Sequence, residues 1–268
     1  MNILQDKFLK IYIEKLKYFH YSQRTVEIYS HYFEKFLVDI NKYPQHFTSR
    51  DFENYLLSYN FSSVSQQNQI INALKFGYEK VLNKKYSKID FQRPRKEKKL
   101  PQIIDVEYLL DSISKITNLK HKSIISLAFS VGLRVSEVCN LKIEDIDSKR
   151  MMINIRQAKG RKDRIVPMTQ TILSLLREYY KEYKPTEYLF NGQFDAKYSA
   201  TSCNQIVKKY IGNQYHFHLL RHATFTNLTD QGVDIHAIQK LAGHSSSKTT
   251  EIYLHLSSKT LNKLPLAI

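Results

Sequence analysis

Cysteine is almost absent: Cys139 and Cys203 are the only two in 268 residues. Two thiols cannot build a disulfide framework or a four-cysteine zinc site, so the expected setting is a reducing one inside the cell, with both side chains as ordinary buried groups. Long apolar runs are missing too. The longest, Ile124 to Leu133, falls short of the ~18 residues that a spanning helix needs, which excludes such a helix. Charged and apolar residues alternate from Lys7 to Tyr12, the pattern of an amphipathic helix and not of a secretory signal, so a cytoplasmic location is expected. There is no GxxxxGK[ST] loop to cradle nucleotide phosphates and no HExxH helix, and His216, His218, His222 and His244 have no cysteine pair beside them. No metal and no nucleotide cofactor is therefore expected. Acid is scarce as well: 25 Asp and Glu against 41 Lys and Arg leave a formal charge of +16, which makes a polyanion, and nucleic acid first, the expected partner.

What is present reads as two domains, the usual outcome for this length. From Ser22, a candidate N-cap, apolar residues recur at Val26, Tyr29, Phe33, Phe36, Leu37 and Ile40, the stripe of an amphipathic helix. Thr48 with Asp51, and Ser63 with Gln66, read as capping boxes that open two further helices. The expected division is a helical domain over 1–92, a linker over 93–101 and a second domain over 102–268. Arg93, Arg95, Lys96, Lys98 and Lys99 face a single acid, Glu97, in that linker, which suits a basic strap along a phosphate backbone as well as a solvated tether. Helical periodicity returns from Asp105 through Val131. It then changes to a period of two at Met152–Arg156, with a turn at Lys159–Asp163 and a return strand at Arg164–Pro167. Helices follow over 169–183, 202–210, 218–230 and 235–241. The fold class is mainly α with a small antiparallel β-sheet.

Several residues of the second half suit phosphate chemistry, which needs a nucleophile, cations on the non-bridging oxygens and an acid for the departing hydroxyl. Arg134 follows a helix-ending Gly132, where a guanidinium can aim two donors at a phosphate; it can equally pair with Glu137. Lys159 opens the hairpin tip beside Gly160, and tip lysines are common on any surface. His218 and Arg221 share a helical face, with Leu219 and Leu220 as core anchors. His244 follows Gly243 and can donate to a phosphate oxygen. Tyr253 is one of 19 tyrosines, most of which serve as core or interface aromatics.

The order of GLRVSE at Gly132–Glu137, KGRKDRIVP at Lys159–Pro167, HLLRH at His218–His222, the pair Gly243–His244 and then Tyr253 resembles the tyrosine recombinase (phage integrase) family, from about Leu100 to His255. Ala242 stands where that family often has leucine. The resemblance implies an N-terminal helical DNA-clamping domain joined by the basic linker to a catalytic domain that cleaves and rejoins DNA at a specific recombination site. It implies that Arg134 and Arg221 bind the scissile phosphate, Lys159 is the acid for the 5′ oxygen, His218 assists proton transfer, His244 bonds the phosphate and Tyr253 forms a 3′-phosphotyrosine. Glu137 is expected to be structural, Arg161 a DNA contact beside the linker cations, and the working assembly a homotetramer on double-stranded DNA without cofactor. Two alternatives stand beside it: a type IB topoisomerase-like relaxing enzyme and a catalytically silent DNA-binding protein.

Overall fold

The computed structural model describes residues 3–84, 93, 102–156, 163–193, 196–244, 250, 251 and 253. The chain divides into two compact units, Met1–Lys99 and Leu100–Ile268.

In the first unit the helices are α1 (Ile3–Tyr18), α2 (Gln23–Ile40), α3 (Ser49–Ser58) and α4 (Val64–Phe76), the last running into a π-turn at Gly77–Val81. The caps are those the sequence predicts, with one shift. Ser22 Oγ accepts from Thr25 N at 3.3 Å. The Asp51 carboxylate accepts from Thr48 N at 2.8 Å. Ser63 Oγ accepts from Gln66 N at 3.1 Å, but the Gln66 amide reaches back to Ser62 N and not to the cap residue, so the second box is open by one position. The core is aromatic: Tyr12 stacks on Phe33 with centroids 4.1 Å apart, Phe36 on Phe52 at 4.5 Å, and Tyr55 meets Phe36 edge-on. Tyr12 is fully buried and donates its hydroxyl to Ala73 O at 2.9 Å, which satisfies its polar group. The fully buried Phe33 ring lies so close to Gly77 that a Cβ there would stand 2.3 Å from it, so only glycine fits the π-turn.

The second unit holds α5 (Val106–Ser114), α6 (Leu119–Val131), α7 (Val135–Asn140), α8 (Gln170–Tyr183), α9 (Ala200–Tyr210), α10 (His218–Asp230) and α11 (Ile235–Ala242). The single periodic stretch expected from Asp105 to Val131 is two helices. Asn118 separates them, its side chain capping α6 by accepting from His121 N at 2.9 Å. The sheet has three antiparallel strands, β1 (Ile146–Asp147), β2 (Met152–Ile155) and β3 (Arg164–Pro167), in that order. β2 and β3 form the expected hairpin with Ile153 opposite Val166; β1 is an addition. Ile153, Ile155 and Val166 face the core while Ile165 faces out. α6 packs against both α8 and α10, and α11 covers α10 and β3. Cys139 on α7 and Cys203 on α9 are both buried, with their sulfurs 3.7 Å apart as free thiols.

Candidate active site

Two helix-ending glycines and one buried arginine set the geometry. Gly132 closes α6 in the left-handed conformation (φ 65°), and the chain turns at once so that Arg134 becomes the N-cap of α7. Gly243 closes α11 the same way (φ 63°) and delivers His244. Arg221, on α10, is 1 % exposed and joins both turns: Nη1 donates to Gly132 O at 2.5 Å and Nη2 to Ala242 O at 2.7 Å. Leu219 and Leu220 anchor α10 in the core as expected, and the guanidinium lies 4.7 Å above the Phe225 ring. Burial, with Arg134 as a second cation nearby, pulls the Arg221 pKa down to about 10; it stays charged at neutral pH.

The histidine beside it has a defined tautomer. Arg221 Nη2 lies 3.0 Å from His244 Nε2, and a guanidinium can only donate, so Nε2 carries the lone pair. The proton is then on Nδ1, which donates to Thr250 Oγ1 at 2.9 Å. Thr250 is fully buried. Burial and the surrounding arginines depress His244 to about 4, and burial with His222 and Arg221 depresses His218 to about 4. Both imidazoles are therefore neutral at pH 7. His218 and His222 meet edge-on at 4.7 Å, and His222 Nδ1 has no hydrogen-bond partner among the described residues.

Tyr253 is 2 % exposed and packs among His222 (5.5 Å between centroids), Phe225 (5.3 Å) and His244 (6.4 Å, rings within 12° of parallel). Burial raises its phenol pKa, while the charges of Arg221 and Arg134 oppose that rise. Glu137 is the acid in this group. Its carboxylate accepts from Arg134 N and Nη1, each at 2.8 Å, so the pairing that competes with phosphate binding is present. It also accepts two bonds from Arg164, the arginine of the return strand in the KGRKDRIVP run, at 2.8 Å each. Hydrogen bonds and charge from Arg164, then Arg134, outweigh burial and hold the Glu137 pKa at about 2.

The structure thus brings together Arg134, Glu137, His218, Arg221, His244 and Tyr253. Lys159 and Arg161 lie outside the described residues, as do Arg95, Lys96, Lys98 and Lys99. Arg93 is described, and its two Nη atoms donate to Asn68 and Asn72 on α4 at 2.8 Å each. Thr250 and Arg164 were not singled out in the sequence. An arginine in the KGRKDRIVP run was the available signal for Arg164.

The depressed histidines carry a pH dependence. A histidine with a folded pKa near 4 against 6.5 unfolded binds fewer protons in the native state. Its contribution to stability is complete above pH 6.5 and is lost as pH falls toward 4. His121 and His222, also lowered, add in the same direction. The melting temperature is expected to fall across that window, and His244→Gln to flatten the profile; a melting temperature constant from pH 7 to 4 would contradict it.

Both units of the chain match known proteins. The family model described as Phage integrase family matches residues 100–260, and one described as Phage integrase, N-terminal SAM-like domain matches residues 8–88. Tyrosine recombinase XerA of Pyrococcus horikoshii is 34 % identical over 253 residues, covering 90 % of this chain and 86 % of that protein. The crystal structure of a XerA recombinase matches with a TM-score of 0.57 at 28 % identity, covering 97 % of both chains. The XerH site-specific recombinase, in a post-cleavage complex with its palindromic difH substrate, shares the fold with a TM-score of 0.72 at 22 % identity, covering 89 % of this chain and 78 % of that one.

Proposed function

Because this chain belongs to the tyrosine recombinases of the phage integrase family, we propose that Tyr253 attacks one phosphate at a specific site in double-stranded DNA, held by Arg134 and Arg221. The enzyme is a site-specific DNA recombinase that breaks and rejoins strands. The phenolic oxygen forms a bond to phosphorus as the bond to the 5′ oxygen breaks. Neutral His218 takes up the phenol proton, and Lys159 supplies one to the 5′ oxygen. The negative charge that builds on the non-bridging oxygens falls on the two arginines. The product is a 3′-phosphotyrosine with a free 5′ hydroxyl. The phosphodiester energy stays in that bond, and attack by a partner strand's 5′ hydroxyl returns it, so rejoining needs no further energy source.

The observation that carries the reading is the placement of Tyr253 against Arg221 and His244, a buried cation and a neutral imidazole. A phosphate bound there raises the His244 pKa, and Nε2 can then carry a proton toward it. Arg93, Arg95, Lys96, Lys98, Lys99 and Arg161 add backbone contacts, and the helical N-terminal unit adds grip on the same duplex. The XerH substrate is palindromic, and a palindrome offers its contacts twice, once to each of two protomers. Two such duplexes make a tetramer, working in the cytoplasm. Neither the topoisomerase nor the silent-binder alternative draws support from the relatives.

The test is covalent capture. The protein is incubated with genomic fragments, denatured, and the DNA still attached is sequenced. Reads that end at one shared site, with protein on the 3′ phosphate and a free 5′ hydroxyl, are expected. Absence of covalent DNA, or ends scattered without a common sequence, would overturn the reading.

A further inference from the structure

Arg164 opens β3 inside the KGRKDRIVP run, where the resemblance gives it no role, yet every nitrogen of its guanidinium is engaged. Nη1 and Nη2 meet the two oxygens of Glu137 in a planar fork at 2.8 Å each, and Nε donates to Leu241 O at 2.9 Å. Its side chain is 8 % exposed, and the Glu137 side chain 3 %. The turn at Gly243 is shaped around it: a Cβ there would stand 3.0 Å from Arg164 Cδ.

We infer that Arg164 is a positioning residue for strand cleavage, occupying the Glu137 carboxylate so that Arg134 keeps its charge for the phosphate, and fixing the turn that carries His244. This rests on the roles proposed above for Arg134 and Tyr253. The charge count gives the reason. Glu137 bonds Arg134 and Arg164 together, so the trio carries one net positive charge. Without Arg164 the carboxylate faces Arg134 alone, that pair is neutral, and the phosphate is left with Arg221. Among the described residues the Arg134 guanidinium bonds Glu137 through one nitrogen only, Nη1, which leaves the rest of its fork for a ligand. The bond to Leu241 O works on the other side of the site, because that carbonyl lies three residues before His244. Lysine would keep the charge but lose the planar fork that grips both carboxylate oxygens.

The experiment measures single-turnover cleavage at saturating DNA, and DNA affinity separately, on the site found by covalent capture. Arg164→Met is expected to slow cleavage by about 10²-fold, the scale for losing one transition-state donor, with Kd unchanged within about threefold. Adding Glu137→Gln to that variant removes the uncompensated charge and is expected to restore about tenfold in rate. A packing role would give no such recovery, since the second change leaves the gap at Arg164 unfilled. Arg164→Gln, which keeps an amide donor for Leu241 O, carries the same comparison if Arg164→Met does not fold. A wild-type cleavage rate, a loss wholly in affinity, or a double variant no faster than the single one would overturn the inference. If Tyr253→Phe still forms the covalent adduct, the catalytic reading falls and this inference with it. If Tyr253→Phe is inactive and Arg164→Met is not impaired, this inference alone falls.

Discussion

Tyr253→Phe should abolish covalent attachment to DNA while the protein still folds and binds. The substitution removes one oxygen and keeps the ring that packs on Phe225 and His222, so the aromatic contacts at 5.3 and 5.5 Å persist. The stability change should stay near the ~1 kcal/mol typical of a lost polar contact. The chemistry has no substitute, because an unactivated ring carbon cannot attack phosphorus. A free phenol with a pKa near 10 is ionised only about one part in a thousand at pH 7. Burial makes that worse at Tyr253, so the adjacent positive charge of Arg221 and Arg134 is what brings the oxyanion within reach. A denaturing gel reads the result: wild type gives a band shifted by attached DNA and Tyr253→Phe gives none. A shifted band from the phenylalanine variant would move the nucleophile to another residue.

The sequence carried the local signals well and the long-range ones poorly, for reasons visible in particular residues. Ser22, Thr48 and Gly132 act on atoms within a few positions of themselves, so their capping roles can be read from spacing. The break before α6 was hidden because Ile113, Ile116 and Leu119 continue an apolar rhythm straight through it, while the real marker is the polar Asn118. β1 has two residues, too few to show a period. In the site, the motif residues were found because each lies in a short run of recognisable order. Arg164 lies in the KGRKDRIVP run, but its role could not be read there because it depends on partners far along the chain, Glu137 and the carbonyl of Leu241. Thr250 escaped for the same reason: a threonine acquires a role only when a histidine nitrogen is 2.9 Å away.

Lys159→Ala should reduce cleavage of ordinary DNA by about 10²–10⁴-fold, the usual cost of removing a positioned acid. Lys159 itself is outside the described residues; the hairpin root is within them. Ile155 pairs with Arg164 at the end of the ladder, and Arg164 is bonded to Glu137 beside Arg134. A lysine four residues beyond Ile155 is tethered to that point by at most ~14 Å of backbone, a length compatible with the acid role proposed for it. The role predicts more than a loss of rate. An alkoxide leaving group, with a conjugate acid pKa near ~16, needs a proton as it departs, whereas a thiol ionises near ~8.5 and its thiolate leaves without one. A substrate with sulfur at the bridging 5′ position should therefore restore cleavage to Lys159→Ala and leave Tyr253→Phe inactive. Arg221→Lys should also gain little from sulfur, because its defect lies in holding charge on the non-bridging oxygens and not in protonating the bridging one. If sulfur fails to rescue Lys159→Ala, the lysine is a DNA contact and the acid is another group; if it rescues Arg221→Lys equally, the two roles have not been separated and the assignment of Arg221 falls.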